Sequence, residues 1–450
     1  MLNIEETKSI IWNLMNCIRG LIFSPDRLSG CAVRLLFLKY AVDNSIGATD
    51  VESMQYCAKA QKMFAIHDTE NGLDTIIPVL NNIDRAYGMF QIVSDKDIIE
   101  HYAGELFGMN RLLQKKNVND HAFKQVMDYL GSLDLEEAPG SKENGRKLVN
   151  GLIQIMASTM EGSKIAAERG TSPSLAKVAK SILNVAGHDT FLDFTSGNGI
   201  STIEITCNAL ARVTLVDLDH EAAATSAMLM IMYGYTHFRV LCENTLTARL
   251  PGISGNKIFA DVPFGLRLEK TPENDYSDGT IAAIDKLIHG YMSQDGIAVI
   301  TSPSGPLYRS GPAAEIKNEI VTLGLLHAVI ALPPMWGGAS IGTNLLVFGR
   351  KPSRSILFVD ASDRAVTTAE RKKAKLSNLL SEETIQEIAD VVHDPQDIPG
   401  FARVVAEAEI RTREYNLVPA NYITKQIEED TTTLAEIDDQ LADLYRQLNL

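Results

Sequence analysis

The stretch from Thr190 to Asp219, TFLDFTSGNGISTIEITCNALARVTLVDLD, constrains this chain more than any other. It reads as strand, glycine turn, helix, strand. Phe191 and Leu192 lead into Asp193, and Gly197 and Gly199 follow in a tight polar loop. Ile200 to Leu210 has helical length and spacing, and Val213, Leu215 and Val216 form an apolar strand that ends on Asp217. A glycine turn lets a nucleotide-like ligand approach the backbone where a Cβ would clash. An acid closing the next strand, about 20 residues on, suits a pair of ribose hydroxyls. The glycines alone fit an unliganded strand-to-helix turn equally well. The acid at that distance favours a nucleoside site.

Alternation of this kind continues down the chain. The strand candidates are Thr190–Phe194, Val213–Asp217, Phe238–Cys242, Lys257–Asp261, Gly296–Thr301, His327–Leu332, Thr343–Phe348 and Ser355–Val359. Helical segments lie between most of them, so an α/β architecture with a mostly parallel sheet covered on both faces is expected. The candidates from His327 onward lie too close together for helical crossovers, which predicts antiparallel pairing at one edge. Ahead of this region the chain reads as helical. Ile10, Ile11, Leu14, Met15, Ile18 and Leu21 repeat at helical spacing. CAVRLLFLKYAV reads as a buried helix, and Asp95–Gly108 and Asp120–Tyr129 as shorter ones. Glu136–Arg146, EEAPGSKENGR, is polar enough for an exposed loop or linker. The expected division is a helical domain over 1–146, an α/β domain over 147–362 and a helical region over 363–450. Met228, Met230 and Met232 are expected in the core of a helix ending at Gly234.

A chain of 450 residues is too long for one ordinary core. The five cysteines are scattered and form no CxxC pair, so neither a metal site nor a disulfide framework is expected. A reducing, cytoplasmic location follows, with no membrane contact, because no apolar run is long enough to span a bilayer. The net charge of −15 opposes a phosphate backbone. Tight nucleic-acid binding therefore needs a partner that supplies positive charge. The compact basic cluster Arg371, Lys372, Lys373 and Lys375 reads as a solvated helix face. Thr432–Leu450 carries a narrow apolar stripe suited to its own chain or to another subunit.

A second informative stretch is Lys257–Gly265, KIFADVPFG, a strand ending on Asp261 with Val262, Pro263 and Phe264 after it. Here the chain resembles the DNA methyltransferases that modify adenine N6, and most of all the modification subunit of type I restriction–modification systems. That family has a strand ending in Asn-Pro-Pro-Phe followed by glycine. The resemblance runs over nearly the whole chain. It includes the N-terminal LMNCIRGLIFSPDRLSGCAVRLLFLKYAVDN, the glycine turn Asp193–Gly199, VDLD at Val216–Asp219 and Asn244-Thr245-Leu246. It extends through Ser302–Phe348 and NLVPANYI at Asn416–Ile423.

The resemblance implies a Rossmann-like S-adenosylmethionine-dependent methyltransferase fold preceded by an all-helical domain. Cofactor contacts would come from Gly170, Thr171, Ser172, Pro173, Asp193, Thr195, Ser196, Gly197, Gly199, Asp217 and Asn244. Asp261, Val262, Pro263 and Phe264 would carry the chemistry. A side-chain oxygen of Asp261 and the carbonyl of Val262 would each accept one hydrogen of the adenine amino group, and Phe264 would stack on the flipped base. The implied partners are a second copy of the chain, a specificity subunit that reads DNA, and in a full system a restriction subunit. Several motifs depart from the family pattern. Gly170-Thr171-Ser172-Pro173 stands where the family has Phe-Tyr-Thr-Pro. Phe194 replaces a proline, Val262 another, and Asn244 an acid. Asp-Val-Pro-Phe fits a methylation motif and a plain strand end with a turn proline equally well. Two classes of function stay open: an adenine methyltransferase subunit, and a methylase-fold scaffold or regulatory subunit with little or no catalysis. Methylation of RNA or protein is a weaker third.

Overall fold

The computed structural model describes residues 3–19, 28–66, 78–79, 82–83, 120–160, 170–207, 210–248, 250–272, 274–335, 341–366 and 378–425. Ahead of the sheet come α1 (Ile4–Ile18), α2 (Leu28–Asp43), α3 (Val51–Ile66), α4 (Asp120–Gly131) and α5 (Glu143–Met160). Then follow α6 (Pro173–Leu183), β1 (Thr190–Asp193), α7 (Ile200–Thr206), β2 (Arg212–Asp217), α8 (His220–Tyr233), β3 (Phe238–Cys242) and β4 (Gly255–Ala260). Next are α9 (Gly279–Lys286), which runs into a π-helical turn at Leu287–Tyr291, β5 (Met292–Pro303), α10 (Gly305–Tyr308) and α11 (Pro312–Thr322). The chain continues through β6 (Leu326–Leu332), β7 (Thr343–Gly349), β8 (Ser355–Asp360), α12 (Glu382–His393), β9 (Ala402–Ala406) and α13 (Glu407–Thr412). No helix among the described residues is long and apolar enough to cross a membrane.

The strands form one sheet in the order β3-β2-β1-β4-β5-β7-β6-β8-β9. β3, β2, β1, β4 and β5 pair in parallel, as expected of strands joined through helices. β7 runs antiparallel to both β5 and β6. The antiparallel expectation thus holds for β6 and β7 but not for β8, which pairs parallel to β6. β7 lies inside the sheet, between β5 and β6. The antiparallel edge is β9 against β8, a strand not expected from the sequence.

Period-two alternation sends neighbouring residues to opposite faces. Phe191, Phe259 and Val299 join one core, and Leu192, Ile258, Ala298 and Ile300 the other. The first core is continuous with the N-terminal helices. α8 explains this. It is apolar all round, with Met228, Met230 and Met232 fully buried as expected, because the sheet covers one side and α2 and α5 the other. α2 is likewise apolar round most of its surface. α5 begins at Glu143, within the stretch expected to be an exposed linker. The Glu137 carboxylate accepts from the amides of Asn144 and Gly145, at 3.1 and 2.7 Å, and so caps that helix. The helix expected at Asp95–Gly108, the basic cluster Arg371–Lys375 and the stripe of Thr432–Leu450 lie outside the described residues.

Gly145 is where α5 meets α8. A Cβ there would stand 2.1 Å from the Met232 carbonyl oxygen. Gly145→Ala should force the two helices apart and cost about 1–3 kcal/mol, read as a lowered urea midpoint. An unchanged midpoint would mean that this contact does not set the helix spacing.

Candidate functional site at the carboxyl edge of the sheet

The site is built on four strand ends. β1 stops at Asp193, which has no exposed surface. Its carboxylate accepts from the hydroxyls of Thr202, at 2.7 Å, and Ser201, at 3.4 Å, both on α7, and from the Thr195 amide at 3.3 Å. Asp193 therefore ties the glycine loop to the helix it feeds. Phe194 turns into the opposite core, its ring 5.1 Å from that of Tyr291. Its carbonyl accepts from the Thr245 hydroxyl at 2.7 Å, and the Tyr291 hydroxyl donates to the Thr245 carbonyl at 2.9 Å. The rigidity that a proline would give this strand end comes here from a buried ring and two hydrogen bonds.

The loop then folds back on β2. The Ser196 amide donates to the Val216 carbonyl at 3.0 Å, and the Gly197 amide to Asp217 Oδ2 at 2.8 Å. Asp217 Oδ1 accepts from the Asp219 amide at 2.8 Å. Asp217 is thus held by backbone donors on both oxygens yet keeps part of its surface exposed. Gly199 has φ +75°, and a Cβ there would meet Ser226 on α8 at 2.8 Å. Glycine is required by both the backbone conformation and the close helix approach.

Asp261 follows β4 and is partly exposed. Its amide donates to Thr195 Oγ1 at 2.9 Å, and Oδ1 accepts from the Thr301 hydroxyl at 2.5 Å. The nearby Thr171 side chain offsets part of the rise that burial gives this carboxyl. Val262 is buried in the core under β4, Pro263 is exposed and Phe264 half-buried, in a turn that closes with the Leu266 amide on the Pro263 carbonyl at 3.2 Å. Pro173 opens α6, and Gly170 and Thr171 precede it, partly exposed. The hydroxyls of Ser172 and Ser196 are buried without a hydrogen-bond partner among the described residues. Asn244 Oδ1 accepts from the amides of Leu246 and Thr247, at 3.1 and 3.2 Å. Its carbonyl is spent on a turn, which leaves the amide NH2 for other contacts. His220 is the first residue of α8, 3.2 Å from Cys242 Sγ. Trp336, Gly337 and Gly338 lie outside the described residues.

Sequence reasoning missed Thr301. The signal was register: Ala260 pairs with Ile300, so Asp261, just past the end of β4, stands beside Thr301 in β5.

Burial drives the electrostatics. It pushes the Asp193 carboxyl up to about 7, against the Thr202 and Thr195 hydrogen bonds, and Asp217 and Asp261 add to the rise. Burial also raises Asp217 and Asp261. No lysine or arginine among the described residues pairs with any of the three. A cation placed among them would favour their charged forms. A cationic sulfonium with a ribose diol and two orphaned serine hydroxyls to satisfy is chemistry that this donor set fits.

A mostly parallel sheet with β7 reversed, a glycine loop after β1 and an acid after β2 define the Rossmann-like methyltransferase fold. Similarity to known proteins agrees. The N-6 DNA Methylase family model matches residues 215–431, in line with the resemblance read from the sequence. The type I restriction enzyme MjaVIII methylase subunit of Methanocaldococcus jannaschii is 32% identical over 167 residues, 36% of this chain and 28% of that protein. The chain thus spans less than a third of the length of that curated relative. A crystal structure of the type I restriction-modification methyltransferase subunit from Streptococcus thermophilus has a TM-score of 0.69 at 17% identity, over 94% of this chain and all of that one. A structure described as showing complex assembly and conformational transition of the type I R-M system reaches 0.70 at 16% identity, over 100% of this chain and 97% of that one.

Because Asp193 holds its proton up to about pH 7 in the folded chain but releases it near 3.8 when unfolded, stability is fully present below that lower value and is lost as pH rises toward 7. Asp193→Asn should make the slope of unfolding free energy against pH shallower between pH 4 and 7, by up to about 1.4 kcal/mol per unit. Urea unfolding across that window measures it. An unaltered slope would remove Asp193 as its source.

Proposed function

We propose that this chain is a subunit of a DNA adenine-N6 methyltransferase of the type I restriction–modification kind. The observation that carries the reading is that Asp217, Thr195, Asp261 and Thr301 lie on four adjacent strands or just past their ends, at one edge of the sheet, with Phe264 in the turn just beyond. Ligands of open α/β sheets bind at this edge. Asp217 would hold the ribose of S-adenosylmethionine, with Asp193 fixing the loop Thr195–Gly199 and with Gly170, Thr171, Ser172, Pro173 and Asn244 along its other side. The cofactor supplies a methyl group on a positively charged sulfur.

The chain's own residues prepare the acceptor. Adenine's amino nitrogen is conjugated with the ring and is a poor nucleophile. The Asp261 carboxylate and the Val262 carbonyl each accept one of its hydrogens, which draws the nitrogen toward tetrahedral geometry and frees its lone pair. Pro263 restricts the turn, and Phe264 offers a face on which a base swung out of the duplex can stack. The net charge of −15 supports a division of labour in which DNA is gripped by a specificity subunit, beside a second copy of this chain and, in a full system, a restriction subunit.

Tritium transfer from labelled S-adenosylmethionine to DNA, by the chain with its specificity partner, tests the reading. Asp261→Ala should lower the rate roughly 100–1,000-fold. Phe264→Ala should weaken the reaction through base capture, by about 1–3 kcal/mol. A second reading, a scaffold that binds cofactor without catalysis, is favoured by the Asn244 carbonyl spent on a turn and the absence of aromatics at Gly170 and Thr171. Cofactor binding with no transfer to any DNA would select it.

A further inference from the structure

Strand register sets two threonine hydroxyls on either side of Asp261. β1 pairs with β4 so that Asp193 lies opposite Phe259, and β4 pairs with β5 so that Ala260 lies opposite Ile300. Continued past the ends of β1 and β4, these registers bring Thr195, and Thr301 of β5, to either side of Asp261. Both are bonded to it, Thr195 through the Asp261 amide at 2.9 Å and Thr301 through Oδ1 at 2.5 Å. Thr301 has no exposed surface. The sheet itself does not require a hydroxyl there, since valine has nearly the same shape and pairs through the same backbone groups.

We propose that Thr195 and Thr301 are positioning residues that clamp Asp261 in the orientation from which it accepts a hydrogen of the substrate amino group. This rests on the reading of Asp261 given above. The clamp accounts for one departure from the family motifs: Val262 lacks the rigidity of proline, and hydrogen bonds with Thr195 and Thr301 replace it. The charged groups that share this edge are Asp193 at the end of β1 and Asp217 at the end of β2. Both are acidic, so an ionised Asp261 depends on donated hydroxyl hydrogens.

The test compares the full chain with Thr301→Val, Thr301→Ser, Asp261→Asn and the double variant Asp261→Asn/Thr301→Val. Thermal unfolding is followed between pH 5 and 8. Thr301→Val should lower the midpoint more as pH rises, because the charged carboxylate has lost its donor. Thr301→Ser should restore it, and in the Asp261→Asn background the cost of valine should not vary with pH. In the complex with its specificity partner, Thr301→Val should lower kcat roughly 10–100-fold with KM for S-adenosylmethionine unchanged within about twofold. It should also move the acidic limb of the rate profile to higher pH. A cost independent of pH, or a pH-dependent cost that survives Asp261→Asn, would overturn the clamp. Absence of methyl transfer by the unaltered complex would overturn the proposed reaction alone, and the unfolding comparison would still decide the clamp.

Discussion

Asp193 ends a central strand with no exposed surface, and its carboxylate ties together the strand, the glycine loop and α7. A buried carboxyl is costly unless hydrogen-bonded. Here the compensation comes from Thr202 and Ser201, in the first turn of the helix, and from the loop's own backbone. Those bonds fix where α7 starts, and thus where the amides of Ser196 and Gly197 lie. The two amides in turn bind β2, one through the Val216 carbonyl and one through Asp217. One unfavourable burial therefore sets the geometry of the loop, of the acid opposite it and of Thr195, which receives the Asp261 amide.

The same economy joins the helices to the sheet. α8 has no polar face and would be unstable alone on a sheet. It is covered by α2 and α5, and the close approach at Gly145 lets them do so. The N-terminal helices thus complete a core that begins under β1, β2 and β3. The acid and its loop are therefore supported from behind by residues far away in sequence.

Much of this was legible in the residues. The glycine loop and the terminal acids Asp193, Asp217 and Asp261 follow local rules of turns and strand ends, so local sequence revealed them. Seven of the eight expected strands also lie in their expected orientation. β8 does not: its short link from β7 suggested an antiparallel neighbour, yet it skips β7 and pairs with β6. Sequence proximity cannot decide which strand is the neighbour once a reversed strand is inserted. β9, ARVVA, is only five residues long and carries an arginine, so it lacks a clear apolar alternation. Thr301 was invisible for a different reason. Its bond to Asp261 spans 40 positions and exists only through the β4–β5 register. The part played by Phe194, packed on Tyr291, likewise needs the far side of the sheet.

Hydrogen–deuterium exchange of the full chain, with and without S-adenosylmethionine, tests most directly whether this edge is the cofactor site. Slower exchange at the backbone of Thr195–Gly199 and Asp217–Asp219, with the rest of the sheet unchanged, is the predicted result. Protection confined to other segments, or none at saturating cofactor, would contradict the account.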